Sequence, residues 1–296
     1  MSNGAGRHLF CFGLGYSALA LAQRLSGEGW QVSGTARSED RVGQLRAHGV
    51  AGFRFDRATP LAAGALAGVS HILVSIPPED DGDPVFARHR DDIVALPGLA
   101  WLGYLSTTGV YGDRAGGWVD ETSAPAPTGT RGQRRLVAER DWLGLWRDHG
   151  VPVHVFRLAA IYGPGRSPFA ALRAGTARRI DKPGQVFSRI HVEDLVAVLH
   201  ASIARPRPGA VYNVCDDAPA PPADVVAYAA GLIGLTPPPL VPLAAAGLSP
   251  LARSFYDESK RVSNALIKRE LAVRLRYPDY RRGLAAILAE ENRAAR

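Results

Sequence analysis

Phe12-Gly13-Leu14-Gly15-Tyr16-Ser17-Ala18 carries the first chemistry legible in this 296-residue chain, because Gly13, Gly15 and Ala18 stand in G-x-G-x-x-A spacing. Glycine at the first two positions permits a tight turn and lets backbone N–H groups approach a pyrophosphate. The small Ala18 lets the helix that follows pack closely on the strand before it, and the positive end of that helix dipole favours phosphate. An apolar run, His8 to Phe12, precedes the turn, and the helical pattern of residues 18–25 follows it. That strand–turn–helix context is the one a dinucleotide needs, so Leu14, Tyr16 and Ser17 join the candidate site with the three small residues.

The end of the second strand separates two cofactors. An acid there suits the free ribose 2′-OH of NAD, and an arginine suits the 2′-phosphate of NADP. The segment reads Val32-Ser33-Gly34-Thr35-Ala36-Arg37-Ser38, with no acid. The expectation is NADP held by Arg37 and Ser38, with NAD as the alternative. Asp56, after the third strand, is placed to meet the adenine amine or to cap a helix. Ser75, Ile76 and Pro77 close the fourth strand, where their backbone would line the ribose and pyrophosphate.

The elements that must position these residues alternate. Strands are expected at His8–Phe12, Gln31–Thr35, Gly52–Phe55, His71–Ile76, Ala100–Ser106 and Val153–Arg157, with helices between them. One helix runs from Ser38 to His48, and the longest from Thr130 to Asp148. Unbroken apolar strands alternating with helices indicate a parallel sheet covered on both faces. The fold expected is α/β, a doubly wound parallel sheet of the Rossmann type with a smaller C-terminal substrate lobe. Its domains would be 1–158 for the dinucleotide and 159–296 for the substrate, with a segment near 211–214 returning to the main sheet.

Composition narrows the class. With 46% hydrophobic and 21% charged residues the chain is globular. No apolar run reaches the ~20 residues a membrane helix needs, and the apolar start breaks at Gly13. The expectation is a cytoplasmic protein, monomer or homodimer, with no membrane partner. Cys11 and Cys215 sit in apolar runs and read as core residues, and no Cys/His spacing suits a metal. The net charge of +7 is concentrated, because Arg157, Arg166, Arg173, Arg178, Arg179, Lys182 and Arg189 face the single acid Asp181 between residues 157 and 189. Such a cluster either steers an anionic small molecule or is a solvated surface. No nucleic-acid motif accompanies it.

Four further segments, in order, are Tyr104 to Asp113 (YLSTTGVYGD), Val155 to Gly165 (VFRLAAIYGPG), Arg189 to Leu195 (RIHVEDL) and Val211 to Val214 (VYNV). With the glycine turn they resemble the short-chain dehydrogenase/reductase superfamily, in its extended branch of NAD(P)-dependent epimerases and dehydratases. The resemblance implies that Thr107 carries the catalytic hydroxyl with Ser106 beside it, and that Leu158 and Ile161 lie beside the nicotinamide. It also shows a departure. The family's Tyr-x-x-x-Lys pair, aligned through Glu139, falls on Arg131 and Arg135, and a guanidinium does not titrate near neutral pH. This pattern is similar to the superfamily's atypical members. Either Arg135 contacts the ribose while Arg131 polarises a carbonyl or binds an anion, or both belong to an arginine-rich helix surface. His191 reads as structural, with Glu193 and Asp194 capping the next helix. The resemblance implies an NADP-dependent oxidoreductase or epimerase acting on a small carbonyl or carbinol substrate, anionic or nucleotide-linked. A non-catalytic NADP-binding sensor or scaffold is the alternative.

Overall fold

Strand–helix alternation governs the first half of the chain. β1 (His8–Phe12) leads to α1 (Tyr16–Gly27), β2 (Gln31–Ala36), α2 (Glu39–Ala47), β3 (Ala51–Arg54), β4 (His71–Val74), α3 (Pro84–Val94) and β5 (Trp101–Thr107). A 3-10 turn, Thr108–Tyr111, and the two-residue β6 (Trp118–Val119) precede the long α4 (Thr130–His149). Then come β7 (Val153–Leu158), β8 (Ala160–Tyr162), α5 (Phe169–Arg173), β9 (Arg179–Asp181), β10 (Arg189–His191), α6 (Val192–Ala204) and β11 (Val211–Val214). The C-terminal part holds α7 (Pro222–Leu232), β12 (Leu240–Pro242), α8 (Pro250–Ser254), β13 (Arg261–Val262), α9 (Ala265–Glu270) and α10 (Tyr280–Ala294). The computed structural model describes residues 6–47 and 49–295. His48, the expected end of the second helix, lies outside the described residues.

Seven strands form a parallel sheet in the order β11-β7-β5-β4-β1-β2-β3, flanked by helices. The chain starts in the middle and winds outward in both directions, so a crevice opens beyond the carboxyl ends of β1 and β4, where the order reverses. Every residue of β1 and β7 is buried, which is why their sequences do not alternate. Expected and observed strand limits agree within two residues. The short β6 was not anticipated, since two residues carry no periodicity.

By internal contacts the chain forms two units. The first comprises Met1–Thr107, Gln133–Arg157 and Val196–Tyr212, and the second Thr108–Gly132, Leu158–Leu195 and Asn213–Arg296. The first has a core of Phe10, Phe12, Phe55, Ile72, Val74, Tyr104, Trp142 and Val155. The second packs Tyr162, Phe169, Val225, Ala229, Tyr280, Leu284 and Ile287. Among the described residues no helix is long and apolar enough to cross a membrane.

Candidate active site

The turn after β1 is built around Gly13, whose φ of +88° belongs to the left-handed region. A Cβ there would lie 2.9 Å from both Ile76 Cγ1 and Ser75 Oγ, so glycine is required by conformation and by space. The N–H of Gly13 donates to Thr35 Oγ1 (2.8 Å), that of Leu14 to the Thr35 carbonyl (2.9 Å), and Ser75 Oγ to the Gly13 carbonyl (2.6 Å). Three strands therefore hold the turn. Leu14 is buried, and a Cβ on Gly34 would collide with its side chain at 2.8 Å. On α1 the buried face includes Ser17, Ala18, Leu21, Ala22 and Leu25, while Tyr16 is half-buried.

Gly15 is the N-cap of α1, and no side chain caps that end. A Cβ on Gly15 would meet nothing within 4 Å, so the glycine leaves open space in front of the helix N-terminus. An uncapped helix start facing open space fits the pyrophosphate of a dinucleotide. A cleft of about 190 Å³ lies there. It brings together Gly13, Gly15, Arg37, Ser75, Ile76 and Pro77 of the sequence expectation, and adds Thr35, Ala36 and Phe55. Arg37 is exposed, with no hydrogen bond or ion pair among the described residues.

Two neighbouring candidates are engaged locally. Ser38 Oγ accepts the Arg41 N–H (3.3 Å) at the start of α2. Asp56 Oδ1 accepts the N–H groups of Ala58 (2.9 Å) and Thr59 (2.8 Å), and its other oxygen lies 3.5 Å from Arg54. This is a local turn, the role of Asp and Asn in loops.

Thr107 ends β5 half-buried. Just before it, the buried Ser106 donates its hydroxyl proton to Glu139 Oε1 at 2.5 Å. Arg157 donates to both Glu139 oxygens, with Nη2 to Oε2 at 2.7 Å and Nε to Oε1 at 3.1 Å. Arg135 Nη1 donates to the Leu105 carbonyl and to Tyr104 Oη, and its guanidinium lies over the Tyr104 ring. Burial raises the Tyr104 hydroxyl well above its ordinary pKa. These contacts lock α4 to the carboxyl end of β5.

The other candidates belong to the second unit. Arg131 is exposed, its guanidinium 4.7 Å from the centre of the Phe255 ring. Leu158 is buried at the end of β7, and Ile161 sits in β8 opposite Ile190 of β10. Tyr111 is buried and donates to Asn213 Oδ1 (2.8 Å), while the Asn213 N–H donates to Glu121 Oε1 (2.8 Å). His191 Nδ1 accepts the Glu193 N–H, and burial pushes its pKa down to about 4. Asp194 lies with Glu193 in the first turn of α6, and its carboxylate accepts the N–H groups of Arg276 and Tyr277.

Most side chains of the basic run of residues 157–189 are engaged within the chain. Arg157 is buried on Glu139, and Arg173 pairs with Glu291. Arg178, Arg179, Lys182 and the buried Arg189 donate to backbone carbonyls. Glu139 had served only to align Arg131 and Arg135; nothing in its type or spacing marked it as the centre of a buried network.

Residues 98–215 match the NAD dependent epimerase/dehydratase family. Over 287 residues the chain is 30% identical to Protein YeeZ of Escherichia coli (strain K12), covering 90% of this chain and 95% of that protein. A functionally unknown conserved protein from Silicibacter pomeroyi DSS has a structure with a TM-score of 0.90 and 53% identity, covering 96% of this chain and 99% of that one. MoeE5, solved in complex with UDP-glucose and NAD, is 21% identical with a TM-score of 0.76, covering 98% of this chain and all of its own. At that identity the likeness is one of fold.

Proposed function

Because the chain belongs to the NAD dependent epimerase/dehydratase family, we propose that it is an NADP-dependent oxidoreductase or epimerase of the atypical short-chain class. The observation that carries this reading is the cleft at the β1/β4 switch point, lined by a helix N-terminus without a side-chain cap and by Arg37, which has no partner among the described residues. MoeE5 was seen with NAD and a UDP-sugar, which supports a nicotinamide dinucleotide and a small nucleotide-linked substrate as ligand classes. Between the two dinucleotides, the absence of an acid at the end of β2 and the free guanidinium favour the 2′-phosphate.

When bound, the nicotinamide would supply a hydride acceptor or donor for a carbinol or carbonyl carbon. Gly13, Gly15 and the first turn of α1 would hold the pyrophosphate, Ser75 to Pro77 the adjoining ribose, and Arg37 with Ser38 the 2′-phosphate. Thr107 would hydrogen-bond the reacting oxygen. Arg131 would act as a fixed cation toward a carbonyl or a substrate anion, a role that requires no titration. Arg135 is tied to β5 through one of its nitrogens, so its part is to hold α4 in place and offer its remaining donors to a ribose.

A fluorescence titration of the protein with NADPH and with NADH tests this. Saturable NADPH binding that exceeds NADH binding, with NADPH affinity alone falling in Arg37→Ala, is the expected result. NADH binding as tight as NADPH would remove the NADP assignment. Absence of saturable binding by either would overturn the enzyme reading and leave a non-catalytic scaffold as the better description.

A further inference from the structure

We propose that the second unit carries a separate binding site for a small molecule bearing a phosphate or carboxylate on an apolar body. The site is a cleft of about 500 Å³ lined by Asp217, Lys268 and residues Ala272, Val273, Arg274, Leu275 and Pro278. It shares no residue with the cleft at the glycine turn. A volume of this order suits a small organic ligand.

Its walls are formed in advance. Asp217 Oδ1 accepts from Lys268 Nζ (2.5 Å) and from Asn264 Nδ2 (2.6 Å), and the Asp217 N–H donates to the Pro278 carbonyl (2.9 Å). The N–H groups of Arg276 and Tyr277 end on the Asp194 carboxylate at 2.7 and 2.9 Å. At the end of α9, Ala272 adopts φ +53°, and the N–H groups of Leu271 and Val273 both donate to the Ile267 carbonyl. Glycine takes that conformation without strain. Alanine is strained there, and the two bonds to the Ile267 carbonyl help hold the chain in that turn.

Among the residues lining the cleft, one basic side chain stands apart. Residues 268–282 contain Lys268, Arg269, Arg274, Arg276, Arg281 and Arg282 against Glu270 and Asp279. Arg269 pairs with Glu270, Arg276 pairs with Glu193, and Arg281 stacks on Tyr280. Arg274 is exposed in the cleft lining and has no hydrogen bond or ion pair among the described residues. Its planar fork of donors matches an oxyanion. The Asp217 carboxylate opposes an anion, but it is held by Asn264 and Lys268, and the ammonium of Lys268 keeps two further donors for a ligand. Val273, Leu275 and Pro278 then offer an apolar surface to the rest of the molecule.

Thermal-shift titrations with phenyl phosphate and with benzoate, each against sodium chloride at matched ionic strength, test the site. The expected result is a saturable rise in Tm with at least one probe. Arg274→Ala should weaken the apparent affinity at least about tenfold, the loss of a charge-assisted hydrogen bond. Lys268→Gln should weaken it less, and Arg37→Ala should leave it unchanged. Arg274 makes no bond that folding needs, so its alanine variant keeps the wild-type Tm without probe. The probe that acts identifies the head group. No saturable rise with either, or a rise that survives Arg274→Ala, overturns the proposal. So does a rise lost only in Arg37→Ala, which would place the probe in the other cleft.

Discussion

Each unit buries a carboxylate almost completely, Glu139 at 2% exposure in the first and Asp216 at 1% in the second, and the two are served very differently. Glu139 receives Ser106 and Arg157 on Oε1 and the Arg157 fork again on Oε2. Among the described residues Asp216 receives only the Ala218 N–H on Oδ1 (3.1 Å), while its buried Oδ2 has no partner there. A guanidinium is near Asp216 too, but Arg189 Nη1 is spent on the carbonyls of Phe187 (2.8 Å) and Ala220 (3.0 Å). Burial therefore pushes the Asp216 carboxyl up to about 8, with the Ala218 bond and the charge of Arg189 offsetting only part of it. The cost of burying a carboxylate depends on the donors aimed at it more than on the charge nearby.

The largest effect should come from breaking the well-served carboxylate. Arg157→Met leaves Glu139 buried with Ser106 as its one remaining side-chain donor among the described residues, and should cost about 3–5 kcal/mol of stability. Adding Glu139→Leu should restore a good part of that loss, since an apolar pair of similar volume carries no desolvation penalty. Urea unfolding of both variants measures this. An Arg157→Met variant of wild-type stability would show that the pair contributes nothing.

The poorly served carboxylate should respond in the opposite direction. Its folded pKa of about 8 lies above the ordinary value of 3.8, so between those values the folded chain binds more protons than the unfolded one. Stability from this group is fullest below about pH 4 and falls as the pH rises through 8. Asp216→Asn keeps an oxygen for the Ala218 N–H and carries no charge. It should gain on the wild type by a few kcal/mol between pH 5 and pH 8.5. Tm measured across that range checks the sign, and parallel curves for the two proteins would refute it.

Ser106→Ala sharpens the comparison at smaller scale. It removes one donor from a carboxylate that retains Arg157, so about 1 kcal/mol should be lost, read as a lower urea midpoint at unchanged m. The same residues show what a sequence makes legible. The unbroken apolar run His8–Phe12 and the spacing Gly13, Gly15, Ala18 report residue size along a continuous segment, and both sheet and turn follow from them. Thr35 and Phe55 of the same cleft gave no signal, because an inward-facing strand residue looks the same whether it meets a ligand or the core. Glu139 and Arg157 lie 18 positions apart on different elements, and their pairing exists only once α4 lies against the sheet. The run from Arg157 to Arg189 suggested a ligand-facing patch because its acceptors are mostly backbone carbonyls, which no sequence pattern marks.

Arg37 and Arg157 set the same contrast between two arginines of the first unit. Arg157 is buried and committed, whereas Arg37 is exposed at the mouth of a cleft with no partner among the described residues. A side chain without intramolecular bonds adds little to folding, so Arg37→Ala should change stability by no more than about 0.5 kcal/mol. If its guanidinium meets a 2′-phosphate, the same variant should lose about 10–100-fold in NADPH affinity, the worth of a charge-assisted contact, while NADH affinity stays constant. Increasing salt should erode the NADPH preference of the wild type, because an exposed charge pair is screened within a Debye length of about 8–10 Å. Tm and the two titrations on this one variant separate the roles. Equal losses for NADPH and NADH would mean that Arg37 shapes the cleft rather than reading the phosphate.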